Sequence, residues 1–170
     1  VVRETNERRS RDGLSGLQEH ATLHAAAEQK VSDMFARQYF AHDNPDGQGI
    51  ATVVSGLGYA YLRVGENLAL GNFPSDAALV DAWMNSPGHR ENILHKRFTE
   101  IGVAVRRGTF QGRTTWLAVQ TFATPKSACP APNDALSGSI ETVKANISNL
   151  ESQATSVKLE IDRLVAERDE

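Results

Sequence analysis

The most regular hydrophobic pattern in the chain lies at its C-terminal end. Between residues 139 and 170 there is no glycine, proline or aromatic residue. Apolar residues recur there at alternating intervals of three and four positions: Ile140, Val143, Ile147, Leu150, Ala154, Val157, Ile161 and Leu164. This spacing is the a and d pattern of a heptad repeat. The pattern therefore predicts one long amphipathic helix over residues 139–170.

Two interpretations of this helix remain open at the level of sequence. It is either a coiled coil that makes the protein a homo-oligomer or an amphipathic helix folded back onto a globular domain. The narrow a/d stripe favours the coiled coil. Ala154 at an a position, and Leu159 and Val165 outside the stripe, fit that interpretation less well. The number of strands is not predicted by the pattern.

A change in composition separates this helix from the rest of the chain. Residues 125–138 are rich in proline, alanine, serine, asparagine and glycine, which is typical of a linker. We therefore expect a globular domain over residues 1–124, a linker over 125–138 and the helix over 139–170.

Helical periodicity and capping residues predict several elements in the first zone. Ser75 is a good N-cap for one helix. Ser86 and Pro87 start another, with Pro at the first helical position, and they place His89 in its first turn. A buried stripe also predicts a helix that ends near Gln38; its members are Leu23, Ala27, Val31, Met34 and Phe35.

Alternating and β-branched residues predict two strands near the end of this zone. They cover residues 101–105 and 115–122, and a glycine-containing turn over 108–112 separates them. The pattern is that of an antiparallel hairpin.

The charge of the chain changes this picture only by exclusion. The formal net charge is −3 and the pI is about 6.0, so the sequence lacks the clustered basic surface of a nucleic-acid-binding protein. Basic residues are densest near the start, where acidic residues interleave them. We interpret these positions as a solvated helix face: Arg3, Glu4, Glu7, Arg8, Arg9, Arg11 and Asp12.

No apolar run approaches the roughly 20 residues that a membrane-spanning helix needs. The chain begins at Val1, which leads us to expect an upstream signal peptide, anchor or other removed segment. Cys129 is the only cysteine, so no disulfide can form within the chain.

The candidate chemistry lies in short motifs spread through the first zone. In chain order they are Phe40-Ala41-His42, Gly58-Tyr59, Gly65-Glu66-Asn67-Leu68-Ala69, the run WMNSPGHRENIL over residues 83–94, and Phe98-Thr99-Glu100-Ile101-Gly102-Val103. Trp116 and Gln120-Thr121-Phe122 follow. This ordered set resembles bacterial domains of the CAP superfamily (cysteine-rich secretory, antigen 5 and pathogenesis-related proteins), also called SCP domains. The resemblance covers about residues 5–124. With a single cysteine, the chain is more similar to bacterial members of the family than to the disulfide-rich eukaryotic ones.

The resemblance implies an α+β fold, a three-layer α-β-α sandwich whose small, mainly antiparallel sheet lies between helical layers. It also implies a central cleft, lined in many members by two histidines and two acidic residues that often hold a divalent metal. By position these are His42, His89 and Glu66. The family's second acidic residue commonly lies at the position of Ser86 in this chain. The chain departs from the pattern here, so the fourth position of the cleft has no acidic side chain.

The chemistry of the three residues is compatible with two kinds of site. Two imidazoles and one carboxylate suit zinc and leave a position for water or substrate. His89 near a helix N-terminus is expected to stay neutral and available as a ligand. Without a metal, His42, Glu66 and His89 could instead act as acid/base groups. Asn67 either orients the Glu66 segment or lines the cleft with Ser86.

Three functions follow as hypotheses, all placing the protein outside the cell or in the cell envelope. The first is a secreted or cell-surface domain that binds a divalent metal and a lipid, glycan or peptide. The second is a hydrolase or lytic enzyme on cell-wall glycan or peptide, with Glu66 as acid or base. The third is a structural oligomer, an adhesion or scaffold protein clustered through residues 139–170.

Overall fold

A computed structural model describes residues 1–130 and 133–168, except for the side chain of residue 134. The chain divides into two compact units, Val1–Cys129 and Pro130–Glu170. This division falls inside the segment expected as a linker, of which residues 131 and 132 lie outside the described part.

The first unit combines five α-helices with four strands. In chain order these are α1 (Val2–Arg11), β1 (Gln18–Glu19), α2 (Ala21–Arg37), α3 (Ile50–Gly56), β2 (Tyr61–Gly71), α4 (Asp76–Met84), α5 (Pro87–Ile93), β3 (Glu100–Phe110) and β4 (Arg113–Pro125), followed by a 3₁₀ turn at Lys126–Ala128.

The four strands form one sheet in the order β1-β3-β4-β2. The pairs β3–β4 and β2–β4 are antiparallel, and the two-residue β1 pairs with β3 in parallel. The expected hairpin is thus confirmed, although both strands are longer than their sequence pattern. They are joined by Gln111 and Gly112, whose positive φ angles of 48° and 77° match the twist of a tight hairpin turn.

Helices cover both faces of the sheet, which confirms the expected α-β-α sandwich. Central strand β4 alternates between the two layers because successive side chains of a strand point to opposite faces. Leu117 and Val119 pack with α2 residues such as Val31, whereas Ala118 and Phe122 pack with residues of α4 and α5.

The helix starts agree with the capping residues of the sequence, with one difference. The Ser75 hydroxyl accepts a hydrogen bond from the Ala78 N–H at 3.2 Å and caps α4. Pro87 is the first residue of α5, and Ser86 stands at its N-cap position without a side-chain capping bond. At the end of α2, Gln38 takes the left-handed conformation with φ of 55°.

The interpretation of the first basic segment is wrong for Arg9. This side chain is only 2% exposed, and it is not part of a solvated face. Its guanidinium donates to the carbonyls of Ser15, Ile93 and His95 at 2.9, 2.7 and 3.0 Å. Arg9 thereby ties α1 to the end of α5, because a buried guanidinium is tolerated only where its donors find acceptors.

Helix α2 lies directly on strand β3 at Gly102. A Cβ atom at this position would overlap the main chain of Leu23 and His24. Glycine is therefore required here for close approach of two backbones, and this contact sets the height of α2 above the sheet.

The second unit is described by a single helix, α6 (Asp134–Arg168), which begins five residues before the expected start at 139. The last two residues of the predicted helix, 169 and 170, lie outside the described part. Within the described residues, no helix is both long and apolar enough to cross a membrane.

Candidate functional site

The candidate site is built at the edge strand β2, which the sequence patterns did not predict as a strand. Consecutive residues of β2 point to opposite faces of the sheet. Leu68 packs with α2 residues, and Ala69 packs on the other face with residues of α4 and α5. By the same alternation, Glu66 faces the α2 side and Asn67 faces the α5 side.

Glu66 and His42 form a direct hydrogen-bonded pair. His42 lies in the loop between α2 and α3, and its side chain is 64% exposed, whereas that of Glu66 is 3% exposed. The distance between His42 Nδ1 and Glu66 Oε1 is 2.7 Å. Because a carboxylate only accepts, Nδ1 is the donor of this hydrogen bond, and in the neutral form of the ring the lone pair is then on Nε2.

The Glu66 carboxyl group is buried and only partly satisfied. Burial raises its pKa, and this effect is opposed by the His42 hydrogen bond and by the charges of Lys30 and His42. The second carboxyl oxygen, Oε2, is buried without a hydrogen-bond partner. Buried polar atoms usually have partners, so an orphaned oxygen in such a place indicates a functional site.

Lys30 is part of the site, and the sequence analysis missed it. It is 3% exposed, and its ammonium donates to the main-chain carbonyl of His42 at 2.5 Å. Burial lowers the pKa of Lys30, while the charges of Glu66, Asp33 and Asp43 raise it. Its spacing carried the signal, since Lys30 falls in line with the buried stripe of α2.

Lys30 also lines a polar cavity of about 250 Å³ beside the site. The cavity is shared by α2 and the loop that carries His42, and its charged and polar lining includes Asp33, Arg37, Tyr39 and Asp46. Lys30 thus contacts the main chain of His42 and also lines a space that suits polar groups.

His89 is the third residue of α5 and is half-buried. Its Nδ1 is buried without a hydrogen-bond partner. Burial lowers the pKa of His89, and the nearby charge of His42 lowers it further. The position of His89 near the N-terminus of α5 predicts the same direction. The two histidines are therefore close enough to influence each other electrostatically.

A buried amide network holds α5 against β2. Asn67, which is fully buried, donates to the His89 carbonyl at 3.0 Å and to Gln120 Oε1 at 3.2 Å. Asn92 donates to Asn67 Oδ1 at 2.9 Å and to the Glu66 carbonyl at 3.1 Å. Gln120 continues the network by donating to the Thr5 hydroxyl at 2.8 Å.

This network bears on the two roles considered for Asn67. It orients the segments that carry Glu66 and His89, and its side chain contributes no exposed surface to a cleft. Ser86 is half-buried at the start of α5. Asn92, Gln120 and Thr5 were missed because their roles depend on partners far away in sequence.

Gly65 allows the close packing behind this site. A Cβ atom here would come within 2.8 Å of Phe98 Cζ and 3.3 Å of Asn92 Oδ1. The glycine of the Gly65-Glu66-Asn67 motif thus permits α5 and the segment after it to approach β2.

The arrangement also bears on how a metal would fit. Among the described residues, no group of three or more His, Cys, Asp or Glu side chains is positioned to hold a metal ion. Glu66 instead accepts from His42 Nδ1, which is the place of the carboxylate behind a metal-binding histidine. Glu66 is therefore placed to orient the His42 imidazole and not to serve as a third ligand.

The family described as "CAP: Cysteine-rich secretory protein family" matches residues 2–122. An uncharacterized protein of Bacillus subtilis, YkwD, is 42% identical over 103 residues, covering 61% of this chain and 40% of the relative. An uncharacterized membrane protein of the same organism, YlbC, is 30% identical over 103 residues, with 61% and 30% coverage. The chain therefore spans less than half the length of these relatives.

Solved structures show the same fold. An extracellular protein of Bacillus anthracis that contains an SCP domain has a TM-score of 0.59 and 29% identity, covering 70% of this chain and 37% of its own. An outer surface protein of Borrelia burgdorferi has a TM-score of 0.63 and 22% identity, with 74% and 90% coverage. The second likeness concerns the fold alone.

Proposed function

The chain belongs to the CAP family of cysteine-rich secretory proteins, and from this premise we propose that its first unit is an extracellular or cell-envelope binding domain. Its site is formed by His42, Glu66 and His89, and its ligand is a lipid, glycan or peptide of those surroundings. The observation that carries the proposal is the buried Glu66 carboxyl with an unpartnered Oε2, paired to an exposed histidine. The extracellular location is supported by the likeness to the Bacillus anthracis protein, which is an extracellular protein with an SCP domain.

The proposal includes a divalent metal, zinc, held by His42 and His89. Imidazole nitrogens are common zinc ligands, and two of them leave positions open for oxygen atoms of a bound molecule. When bound, the metal supplies a Lewis acid at the mouth of the site. Glu66 holds the His42 ring in the tautomer whose Nε2 is free, and Asn67 holds the α5 segment that carries His89.

Zinc-dependent thermal stability tests the metal part of this proposal. A metal that binds only the folded protein adds about 2.7 kcal/mol of stability at a free concentration 100 times its Kd. We expect His42→Ala and His89→Ala each to lose most of this stabilisation. Glu66→Gln should weaken zinc affinity about 10- to 100-fold, the usual cost of removing the group behind a ligand.

His24→Ala is the matched control for the zinc experiment. His24 is another exposed histidine, with 60% side-chain exposure, and its Nδ1 lies 2.6 Å from the Val103 carbonyl oxygen. Its removal should leave the zinc effect intact. Equal zinc stabilisation of the wild type, His42→Ala and His89→Ala would contradict the proposed metal site.

The ligand part is tested separately, by binding of the zinc-loaded protein to purified cell-wall glycan, to lipid vesicles and to peptide arrays. We expect binding to one of these classes that falls at least tenfold in His42→Ala and not in His24→Ala. Binding that is equal in both variants would show that the ligand uses a different surface.

One observation favours a second candidate, hydrolysis of cell-wall glycan or peptide. A buried carboxyl of raised pKa next to an imidazole is a plausible acid/base pair. Among the described residues, no hydroxyl or thiol hydrogen-bonds to either imidazole of the site, so the attacking group would be water. Release of soluble products from peptidoglycan by the wild type but not by Glu66→Gln would support this candidate. Equal release by both would exclude this role for Glu66.

A further inference from the structure

Helix α6 carries a continuous apolar stripe that is exposed to solvent along its length. The seven large side chains at its a and d positions are each between 43% and 62% exposed: Ile140, Val143, Ile147, Leu150, Val157, Ile161 and Leu164. Leu136, one heptad step earlier, is 53% exposed. Exposing so many aligned apolar groups is unfavourable, so this stripe marks an interaction surface.

We infer that the stripe pairs with α6 of a second copy of this chain, in a parallel two-stranded coiled coil. The types of residue at the seam support this geometry. Isoleucine occupies three of the four a positions, and the d positions hold leucine and valine. In parallel coiled coils, β-branched residues at a combined with leucine at d favour two strands.

The residues that flank the stripe are compatible with parallel self-pairing. In this arrangement a g residue of one helix faces the e residue five positions later in the other. The facing pairs are Ser139 with Lys144, Asn146 with Glu151, Gln153 with Lys158, and Glu160 with Val165. No pair places like charges together. Glu160 is also neutralised within its own helix by Arg163 at 2.7 Å.

The stripe is complementary to itself, which favours a second copy over an unrelated partner. In a parallel pair each a or d side chain meets its own counterpart, so large residues face large ones along the whole seam. The small Ala154 is the single place where this packing leaves room. At 1.5 Å per residue the 35-residue helix is about 52 Å long, and four heptads meet the usual minimum for a stable coil.

Self-pairing would give each dimer two copies of the Glu66 site, one in each chain. Tethered sites bind a repetitive surface more tightly than a single site does, because the second binding event becomes intramolecular. This inference goes beyond the proposed binding function and does not depend on it, since the seam lies wholly in the second unit.

Two leucine substitutions in the full chain provide a matched test. Leu150 lies at a d position and is 62% exposed, whereas Leu159 lies at an f position on the opposite side and is 66% exposed. We expect light scattering and sedimentation to give a dimer for the wild type and for Leu159→Asp. In Leu150→Asp, burying a charge in the seam should weaken association at least 100-fold.

The natural cysteine tests the orientation of the pair. Cys129 is exposed, and only four residues separate it from the start of α6. The segment of four or five residues between Cys129 and α6 spans at most about 18 Å in each chain. In a parallel pair the two α6 helices start side by side, so the two Cys129 thiols can meet. In an antiparallel pair the two starts are about 52 Å apart, which is too far for these segments to bridge. Mild oxidation should therefore yield a disulfide-linked dimer in the wild type and in Leu159→Asp, but neither in Leu150→Asp nor in Cys129→Ser.

Several outcomes would overturn the inference. A wild-type monomer at high concentration would mean that the stripe folds onto the same chain or awaits another partner. A trimer, or equal loss of association in Leu150→Asp and Leu159→Asp, would contradict the two-stranded seam. A dimer that never forms the Cys129 disulfide would contradict the parallel orientation. Zinc stabilisation measured on the same variants separates any of these results from failure of the binding site.

Discussion

Glu66 and Asn67 are neighbours on β2, and their side chains lie on opposite faces of the strand, where they make different numbers of hydrogen bonds. On the α5 side, the amide of Asn67 makes three hydrogen bonds, to His89, Gln120 and Asn92. On the α2 side, the carboxyl of Glu66 makes one hydrogen bond, to a histidine that faces solvent, and leaves Oε2 without a partner. Both side chains are buried.

The difference separates two uses of a buried polar group. A satisfied amide network stabilises one arrangement of the chain, because every partner would be left unpaired if it moved. A carboxyl with a free oxygen and an exposed partner adds little to stability and remains available to a ligand. Within one motif, Asn67 therefore stabilises the arrangement of the site, and Glu66 remains available to a ligand.

The largest expected effect is loss of stability in Asn67→Leu. This change leaves two acceptors and one donor unpaired in the interior, and each unsatisfied group costs about 1–3 kcal/mol. We expect the free energy of unfolding, measured with urea, to fall by at least about 3 kcal/mol. Asn85→Leu, at an exposed position after α4, should change it by no more than about 0.5 kcal/mol. A loss of stability below about 1 kcal/mol in Asn67→Leu would contradict the stabilising role of the Asn67 hydrogen-bond network.

An intermediate effect is expected from Glu66→Gln, and it depends on pH. Folding raises the pKa of Glu66 because burial disfavours its charge. Its favourable contribution is therefore fully present below the unfolded pKa and is lost as the pH rises through the folded pKa. Glutamine does not titrate, so Glu66→Gln should gain stability relative to the wild type as the pH rises above the unfolded pKa of about 4.3.

The His42→Ala background sharpens this measurement. Removing His42 takes away a hydrogen bond and a charge that lower the pKa of Glu66. The loss of stability should still begin at the unfolded pKa, but it should extend to higher pH and become larger, because the folded pKa of Glu66 is raised further. Urea unfolding of both proteins over the same pH range tests this, and a stability difference that does not vary with pH would show that Glu66 is not perturbed by folding.

The smallest effect concerns two threonines of β4. The Thr121 hydroxyl is buried without a partner across from Glu66, whereas the Thr124 hydroxyl donates to the Arg97 carbonyl. Thr121→Val should be neutral or slightly stabilising, and Thr124→Val should cost about 1 kcal/mol. Thermal unfolding would show the difference, roughly 4 °C in Tm. An equal cost for both would indicate that Thr121 also has a partner in solution.

The sequence predicted those parts of the fold that depend on local signals. Ser75 and Pro87 mark helix starts by capping geometry that needs no distant partner, and the β3–β4 hairpin follows from strand composition on both sides of a short turn. Strand β2 was missed because Gly65, Glu66 and Asn67 interrupt its apolar pattern. Their polarity is tolerated in a strand only because α2 and α5 cover its two faces.

The candidate site was predictable in its membership more than in its chemistry. Ordered motifs identified His42, Glu66 and His89, but the nitrogen that contacts Glu66 depends on the loop conformation. The burial of Arg9 had no local signal, because the Ile93 and His95 carbonyls that accept its hydrogen bonds are distant in the sequence. The spacing of Lys30 placed it in line with the buried stripe of α2, but its acceptor, the His42 carbonyl, is not visible in that local pattern.

The two close approaches at Gly65 and Gly102 have a consequence for mutational tolerance. Each glycine lets a neighbouring segment come closer than any methyl group would permit: the Phe98 ring at Gly65, and the backbone of α2 at Gly102. Lys30 is a residue of α2. The distance of Lys30 from the sheet therefore depends on the absence of a Cβ atom at Gly102, and the distance of the Phe98 ring from β2 depends on its absence at Gly65. A saturation library scored for binding should therefore reject every replacement at Gly102, and most at Gly65, as firmly as at His42. Intolerance to substitution at these two positions would report the close packing of chain segments around the site and not contact with what the site binds.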